Sequence, residues 1–171
     1  IKPGHKMRLV GNLPYNISTP LLFQLLDYAT EIQDMHFMLQ KEVVDRLAAG
    51  VGDEAYGRLG IMIQYHCEVD HLFDVPPEAF NPPPKVTSAI VRLTPRARPV
   101  TPADDVKWLG RVVTAAFNQR RKTLRNALKN LLEEGDLEAC HIDPQQRPEN
   151  ITLEAYVRLS NHLYRRAANP S

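Results

Sequence analysis

Apolar and polar residues follow two rhythms along this 171-residue chain, and the change from one to the other divides it. Met7 to Val10 (MRLV) is a short apolar run bounded by Gly11, which predicts a buried strand ending at Asn12. Ser18-Thr19-Pro20 then reads as a cap and first turn, and Leu21, Leu22, Leu25 and Leu26 recur at helical spacing. The rhythm repeats: Asp34 to Gln40 predicts a strand, and Lys41 to Gly50 a helix stopped by Gly50. Two strand-then-helix units in succession predict a parallel sheet with crossover helices. Tyr56 to Tyr65 continues with a third helical pattern, weakened by Gly57 and Gly60. CEVDHLFDVP and VTSAIVRLTP are β-rich runs on either side of FNPPPK, so two further strands joined by a stiff loop complete the sheet.

Beyond Thr94 the period of two disappears. TPRARPVTPADD, Thr94 to Asp105, sets three prolines among polar residues and reads as a linker. After it the pattern is helical only: Val106 to Phe117, Lys122 to Glu134, and Leu153 to Arg166 with Leu153, Tyr156, Val157, Leu163 and Tyr164 on one face. The expected organisation is an α/β domain over residues 1–98 and a small all-α domain over 99–171.

Composition narrows the class. No apolar run approaches the roughly 20 residues that span a bilayer, and IKPGHKMRLV has no signal-peptide layout, so a chain with no membrane partner is expected, and a fragment. Cys67 and Cys140 lie 73 positions apart with no ligand spacing around them, which predicts two buried thiols in a reducing cytoplasm and neither disulfide nor metal. His36, His66 and His71 likewise lack metal spacing. Net charge is only +1, yet Val106 to Leu132 holds seven cations and no acid, leaving −6 for the remainder. Such segregation points to an anionic partner.

Three stretches could carry chemistry, and each has a plain structural alternative. Asn12-Leu13-Pro14-Tyr15 falls at the carboxyl end of a strand, where open α/β sheets bind ligands. Pro14 restricts Leu13 to an extended shape, so the Leu13 carbonyl can be held outward as an acceptor; the Asn12 side chain offers a second, and Tyr15 a flat face. Two acceptors beside an aromatic plate suit a planar amine such as the exocyclic nitrogen of adenine, although Asn and Pro also make ordinary turns. Phe80 before Asn81-Pro82-Pro83-Pro84-Lys85 reads either as a core plug on a rigid connection or as a second aromatic contact, with Lys85 near phosphate. FNQRRKTLRNALKN, read as one helix, places Arg121, Arg125 and Lys129 on a single face, with Arg120 and Lys122 beside them, as solvated surface or as a phosphate-binding face. GVGDEAYG follows a helix and not a strand, which makes it a surface turn.

In this order and spacing, GNLPYNISTPLLFQLL, MHFMLQKEVVDRL, YGRLGIMIQ, FNPPPKVTSAIVRL and AFNQRRKTLRN closely resemble the KsgA-type small-subunit ribosomal RNA adenine dimethyltransferases, from about Arg8 to the C-terminus. Erm-type enzymes share the N-L-P-Y core, but FNQRRKT is more similar to the KsgA side. The resemblance implies the C-terminal half of a Rossmann-like S-adenosylmethionine-dependent methyltransferase domain followed by a helical rRNA-binding domain. It implies S-adenosylmethionine as methyl donor, and two adjacent adenosines near the 3′ end of 16S rRNA in the immature small subunit as acceptors. By position, Asn12 and the Leu13 carbonyl would hold the target amine, Pro14 would set their geometry, and Asn12 would lie beside the methyl donor. Tyr15 and Phe80 would flank the flipped base, and Lys85, Arg120, Arg121, Lys122, Arg125 and Lys129 would contact RNA. The family's glycine-rich loop and its acidic cofactor contacts, which precede N-L-P-Y, are not in this sequence, so the chain alone is expected to be inactive. The alternative is a non-catalytic RNA-binding or ribosome-assembly module.

Overall fold

The structure, a computed structural model, describes residues 3–170; Ile1, Lys2 and Ser171, at the ends of the two expected domains, lie outside the described residues. Two compact units are present: residues up to Ala49 with Met62–Pro99, and Gly50–Ile61 with residues from Val100 onward.

The first unit is built on a four-stranded sheet. Its elements are β1 (Met7–Asn12), α1 (Ser18–Leu26), β2 (Ile32–Gln40), α2 (Lys41–Ala48), the C-terminal part of α3 (Arg58–His66), β3 (Cys67–Val75) and β4 (Ser88–Pro95). The strand order is β1-β2-β4-β3. Only β1 and β2 are parallel, joined through α1; β4 pairs antiparallel with both β2 and β3. The strands of the two strand-then-helix units pair in parallel as expected, and the added β4 makes the sheet mixed. The connections differ accordingly: β1 and β2 are joined by a crossover through helix α1, whereas β3 returns to β4 through the 76–87 connection, which carries one 3₁₀ turn and no crossover helix, and the pair runs antiparallel.

Alternation on β4 buries Ala89, Val91 and Leu93 completely, while central β2 buries Ile32, Met35, Phe37 and Leu39. From α2, Val43, Val44 and Leu47 cover one face, and each such side chain contributes about 1.5–3 kcal/mol relative to exposure. The two free cysteines are both buried, and burial pushes the Cys67 thiol up to about 11, so it packs as an apolar side chain.

The second unit is helical: α4 (Val106–Asn118), two short helices α5 (Leu124–Ala127) and α6 (Asp136–Ala139), and α7 (Leu153–Ala168). The Asp105 side chain caps α4 by accepting from the Lys107 and Trp108 amides, and Thr152 caps α7 by accepting from Ala155. Such caps are worth about 1 kcal/mol each. Leu109, Val112, Val113 and Ala116 of α4 are buried, as are Tyr156, Val157, Leu159 and Leu163 of α7, against which α4 packs. Leu153 and Tyr164 are half-buried. Two buried phenols fasten the loops of this unit: Tyr156 donates to the Pro148 carbonyl at 2.6 Å and Tyr56 to that of Ile151 at 2.7 Å. Burial raises both phenol pKa values far above the ordinary range, so each stays a donor at any physiological pH.

The helix expected over Lys122 to Glu134 is not continuous. Thr123 Oγ1 accepts from the Asn126 amide and starts α5, whose first amides are taken by the neighbouring loop, Leu124 N–H by the Gln146 carbonyl and Arg125 N–H by that of Pro144. The chain turns after Leu128, and a left-handed Gly135 (φ 86°) opens α6. Leu124 and Leu128 are buried, but Leu131 and Leu132 only half so, and one long helix would not serve all four.

Candidate active site

β1 ends at Asn12, and the Leu13 amide continues its ladder by donating to the Met38 carbonyl at 3.1 Å. A tight turn follows, with Ile17 N–H donating to the Pro14 carbonyl at 3.2 Å. Ser18 is the first helical residue and makes no side-chain cap; its buried hydroxyl instead donates to the Tyr15 carbonyl at 3.2 Å, anchoring the turn. The Asn12 side chain, Pro14 and Tyr15 project outward, Tyr15 being 70% exposed. Among the described residues, neither the Asn12 amide group nor the Leu13 carbonyl has a hydrogen-bond partner. Both are open acceptors on rigid backbone.

Sheet register decides what else reaches this edge. Asn12 is opposite Met38, Met38 opposite Ile90, and Ser88 opposite both Gln40 and Val75. The carboxyl ends of β1, β2 and β3 therefore lie at the same end of the sheet as the start of β4, and the 76–87 connection issues where N-L-P-Y does. β4 stands two strands from β1, a lateral separation of about 10 Å. Half-buried Phe80 closes a 3₁₀ turn (Pro77–Ala79) in that connection, a cis peptide joins Asn81 to Pro82, and Lys85 is exposed. On the same edge Lys41 Nζ donates to Asp45 at 3.0 and 3.1 Å, and this partner raises the lysine's pKa. Sequence reasoning read Ser18 as part of a helix cap and missed it as the anchor of the turn.

The basic residues sit in the second unit under different constraints. Arg120 is engaged, donating to the Glu54 carbonyl at 2.5 Å and to Glu149 at 3.3 Å. Arg125 pairs with Glu138 at 3.1 Å. Arg121, Lys122 and Lys129 are exposed and have no carboxylate partner among the described residues. With α5 only four residues long, Arg121, Arg125 and Lys129 do not form the single stripe that one helix would give. Also among the described residues, no cluster of three or more His, Cys, Asp or Glu could hold a metal ion, and no helix is long and apolar enough to cross a membrane.

A mixed sheet with flanking helices and a parallel β-α-β unit defines a Rossmann-like α/β fold. Solved structures agree: a dimethyladenosine transferase from Plasmodium falciparum superposes with a TM-score of 0.77 at 27% identity, over 93% of this chain and 68% of that one. The 23S rRNA methyltransferase ErmE shares the fold at a TM-score of 0.69 and 24% identity, over 95% and 67%. The chain belongs to the ribosomal RNA adenine dimethylase family, whose model matches residues 1–165. It is similar to the ribosomal RNA small subunit methyltransferase A of Pseudomonas aeruginosa, with 66% identity over 163 residues, 95% of this chain and 61% of that protein. The protein of the same name from Vibrio atlanticus is 57% identical over 164 residues, 96% of this chain and 60% of its own length. The chain thus spans about six-tenths of the length of these curated relatives.

Proposed function

We propose that this chain forms the acceptor side and the RNA-holding unit of an S-adenosylmethionine-dependent rRNA adenine N6-dimethyltransferase. Its substrate would be two adjacent adenosines near the 3′ end of 16S rRNA, presented by the immature small ribosomal subunit in the cytoplasm. The observation that carries this reading is the pair of unpartnered acceptors, Asn12 and the Leu13 carbonyl, beside exposed Tyr15 at the sheet end from which Phe80 also issues.

An adenine amine is a poor nucleophile because its lone pair is delocalised into the ring. Acceptors aimed at the two amine hydrogens favour a more pyramidal nitrogen and stabilise the positive charge that builds there. Pro14 keeps the Leu13 carbonyl extended, so little reorganisation is needed during the reaction. Tyr15 and Phe80 would hold the extruded base by its faces, each stack worth roughly 1–3 kcal/mol. The methylated nitrogen is acidic and loses its proton to water, which explains a site without His or carboxylate in the motif. These residues fit the donor: S-adenosylmethionine supplies an electrophilic methyl group, and Asn12 is the residue of this chain that would lie against it. Lys85, Arg120, Arg121, Lys122, Arg125 and Lys129 would contact the RNA.

The test uses a polypeptide of the relatives' full length with unmethylated small subunits. Asn12→Ala should lower methyl transfer by about 10²–10³-fold, the effect of removing one preorganised polar contact, with subunit binding retained. Unchanged turnover would sink the role of Asn12. If the unmutated protein binds subunits but transfers no methyl group, the chain is a binding module and not part of an enzyme.

A further inference from the structure

The outward face of α4 carries a groove that neither the motifs nor the resemblance assign. Lys107, Gly110, Arg111, Thr114, Ala115 and Asn118 follow at helical spacing on the side opposite buried Leu109, Val112, Val113 and Ala116. With Arg58, Asn130 and Leu131 they line an open groove of about 570 Å³. Its chemistry is one-sided. Three cations border it, Arg58, Lys107 and Arg111, and no acidic residue lines it. Lys107 and Arg111 have no carboxylate partner among the described residues, and the Arg111 guanidinium is held over the Trp108 ring, 4.4 Å from its centroid, which fixes where that charge sits.

The floor is made of the small residues Gly110, Thr114 and Ala115, so the backbone of a ligand could approach the helix closely. Glycine within a helix costs about 1 kcal/mol relative to alanine, and access for a ligand is a reason to bear that cost. Asn118 and Asn130 add neutral donors and acceptors at one end. A purely solvated face would mix both signs of charge. Cations on the rim, amides at one end and a narrow floor of small side chains suit a sugar-phosphate backbone.

We propose that this groove is a second rRNA-binding surface, separate from the Arg121–Lys122 turn, which grips one strand of the substrate RNA through its phosphates. The proposal rests on the rRNA-modifying reading above and extends it to residues outside the FNQRRKT motif. Lys107 and Arg111 each neutralise a phosphate, and Arg58 lines the groove on a different element.

The test is filter binding of the full-length protein to naked, unmethylated 16S rRNA across a KCl series. Lys107→Glu with Arg111→Glu should weaken binding at least tenfold at about 0.1 M KCl and lower the log–log salt slope by about 1.5, whereas Lys107→Arg with Arg111→Lys retains both. Unchanged affinity and slope in the reversed variant, with the unmutated protein binding normally, would overturn the groove while leaving the enzymatic reading intact. Loss of binding to whole subunits but not to naked rRNA would also overturn it, in favour of an acidic protein partner. Failure of the unmutated protein to bind rRNA would overturn both readings. Should the reversed variant not fold, acetylation of Lys107 in the unmutated protein decides: 16S rRNA should protect it at least fivefold, and equal reactivity with and without RNA would refute the contact.

Discussion

At the scale of single residues, the most constrained side chain lies away from the candidate active site. Asp136 is buried and accepts from the Glu133 amide at 2.6 Å, from Arg166 Nη1, and faces His162 Nε2 at 2.9 Å; the same guanidinium donates to the Leu131 carbonyl at 3.1 Å. Burial alone would raise its pKa, but the Arg166 hydrogen bond leads a donor set that holds the carboxyl below its ordinary value. A folded-state pKa below the unfolded one adds stability that is full above about pH 4 and is lost as pH falls through the folded value. Urea unfolding followed at pH 7 should show Asp136→Asn less stable by about 2–3 kcal/mol, the usual worth of hydrogen bonds to a charged group. As pH falls below about 4 the variant should lose less stability than the unmutated protein, and an identical acid response would show that another carboxylate governs it. None of this was legible in the sequence, because the partners lie 26 and 30 residues away. Asn12-Leu13-Pro14-Tyr15 was legible because its geometry is local: a strand end, a proline and a helix start.

At the scale of elements, the patterns that specify themselves locally appear as expected, and those that depend on distant partners do not. α4 and α7 carry their own side-chain caps and a continuous apolar face. The Lys122 to Glu134 segment has the same apolar spacing, but its chain turns after Leu128 and the Glu133 amide is taken by the buried Asp136 carboxylate, so no single helix runs through it. The consequence for RNA binding is specific. Arg125 is already compensated by Glu138, whereas Arg121 and Lys122 stand in the preceding turn without carboxylates among the described residues. On the proposed reading, Arg121→Gln with Lys122→Gln should reduce 16S rRNA affinity about tenfold in the full-length protein and lower the salt slope by about 1.5. Arg125→Gln should change it less than threefold, since exposed ion pairs contribute little and the freed Glu138 remains solvated. Equal losses in the two variants, measured by filter binding, would restore the single basic face that the uninterrupted helix implied.

At the scale of the molecule, strand rhythm yields to helical rhythm near residue 98, but nothing in that rhythm shows that Gly50–Ile61 packs with the helical unit. That follows from the Tyr56 hydroxyl reaching the Ile151 carbonyl 95 residues away, and from the Tyr56 ring set edge-on to Phe117 at 6.0 Å. In the sheet unit, the order β1-β2-β4-β3 leaves β1 at an edge with Val10 82% exposed, and the acceptor groups stand at the end of that same edge strand. On the proposed reading, Asn12 is the one residue of this chain that would lie against the methyl donor. One polar contact holds a small ligand weakly, since millimolar affinity already requires about 4 kcal/mol. Calorimetric titration of S-adenosylmethionine into this 171-residue polypeptide should therefore show no saturable heat below about 1 mM, while a polypeptide of the relatives' full length should bind at least about 100-fold more tightly. Comparable affinity in the two would mean that the donor is held by residues already present here, and would require a second cofactor contact on the sheet edge besides Asn12.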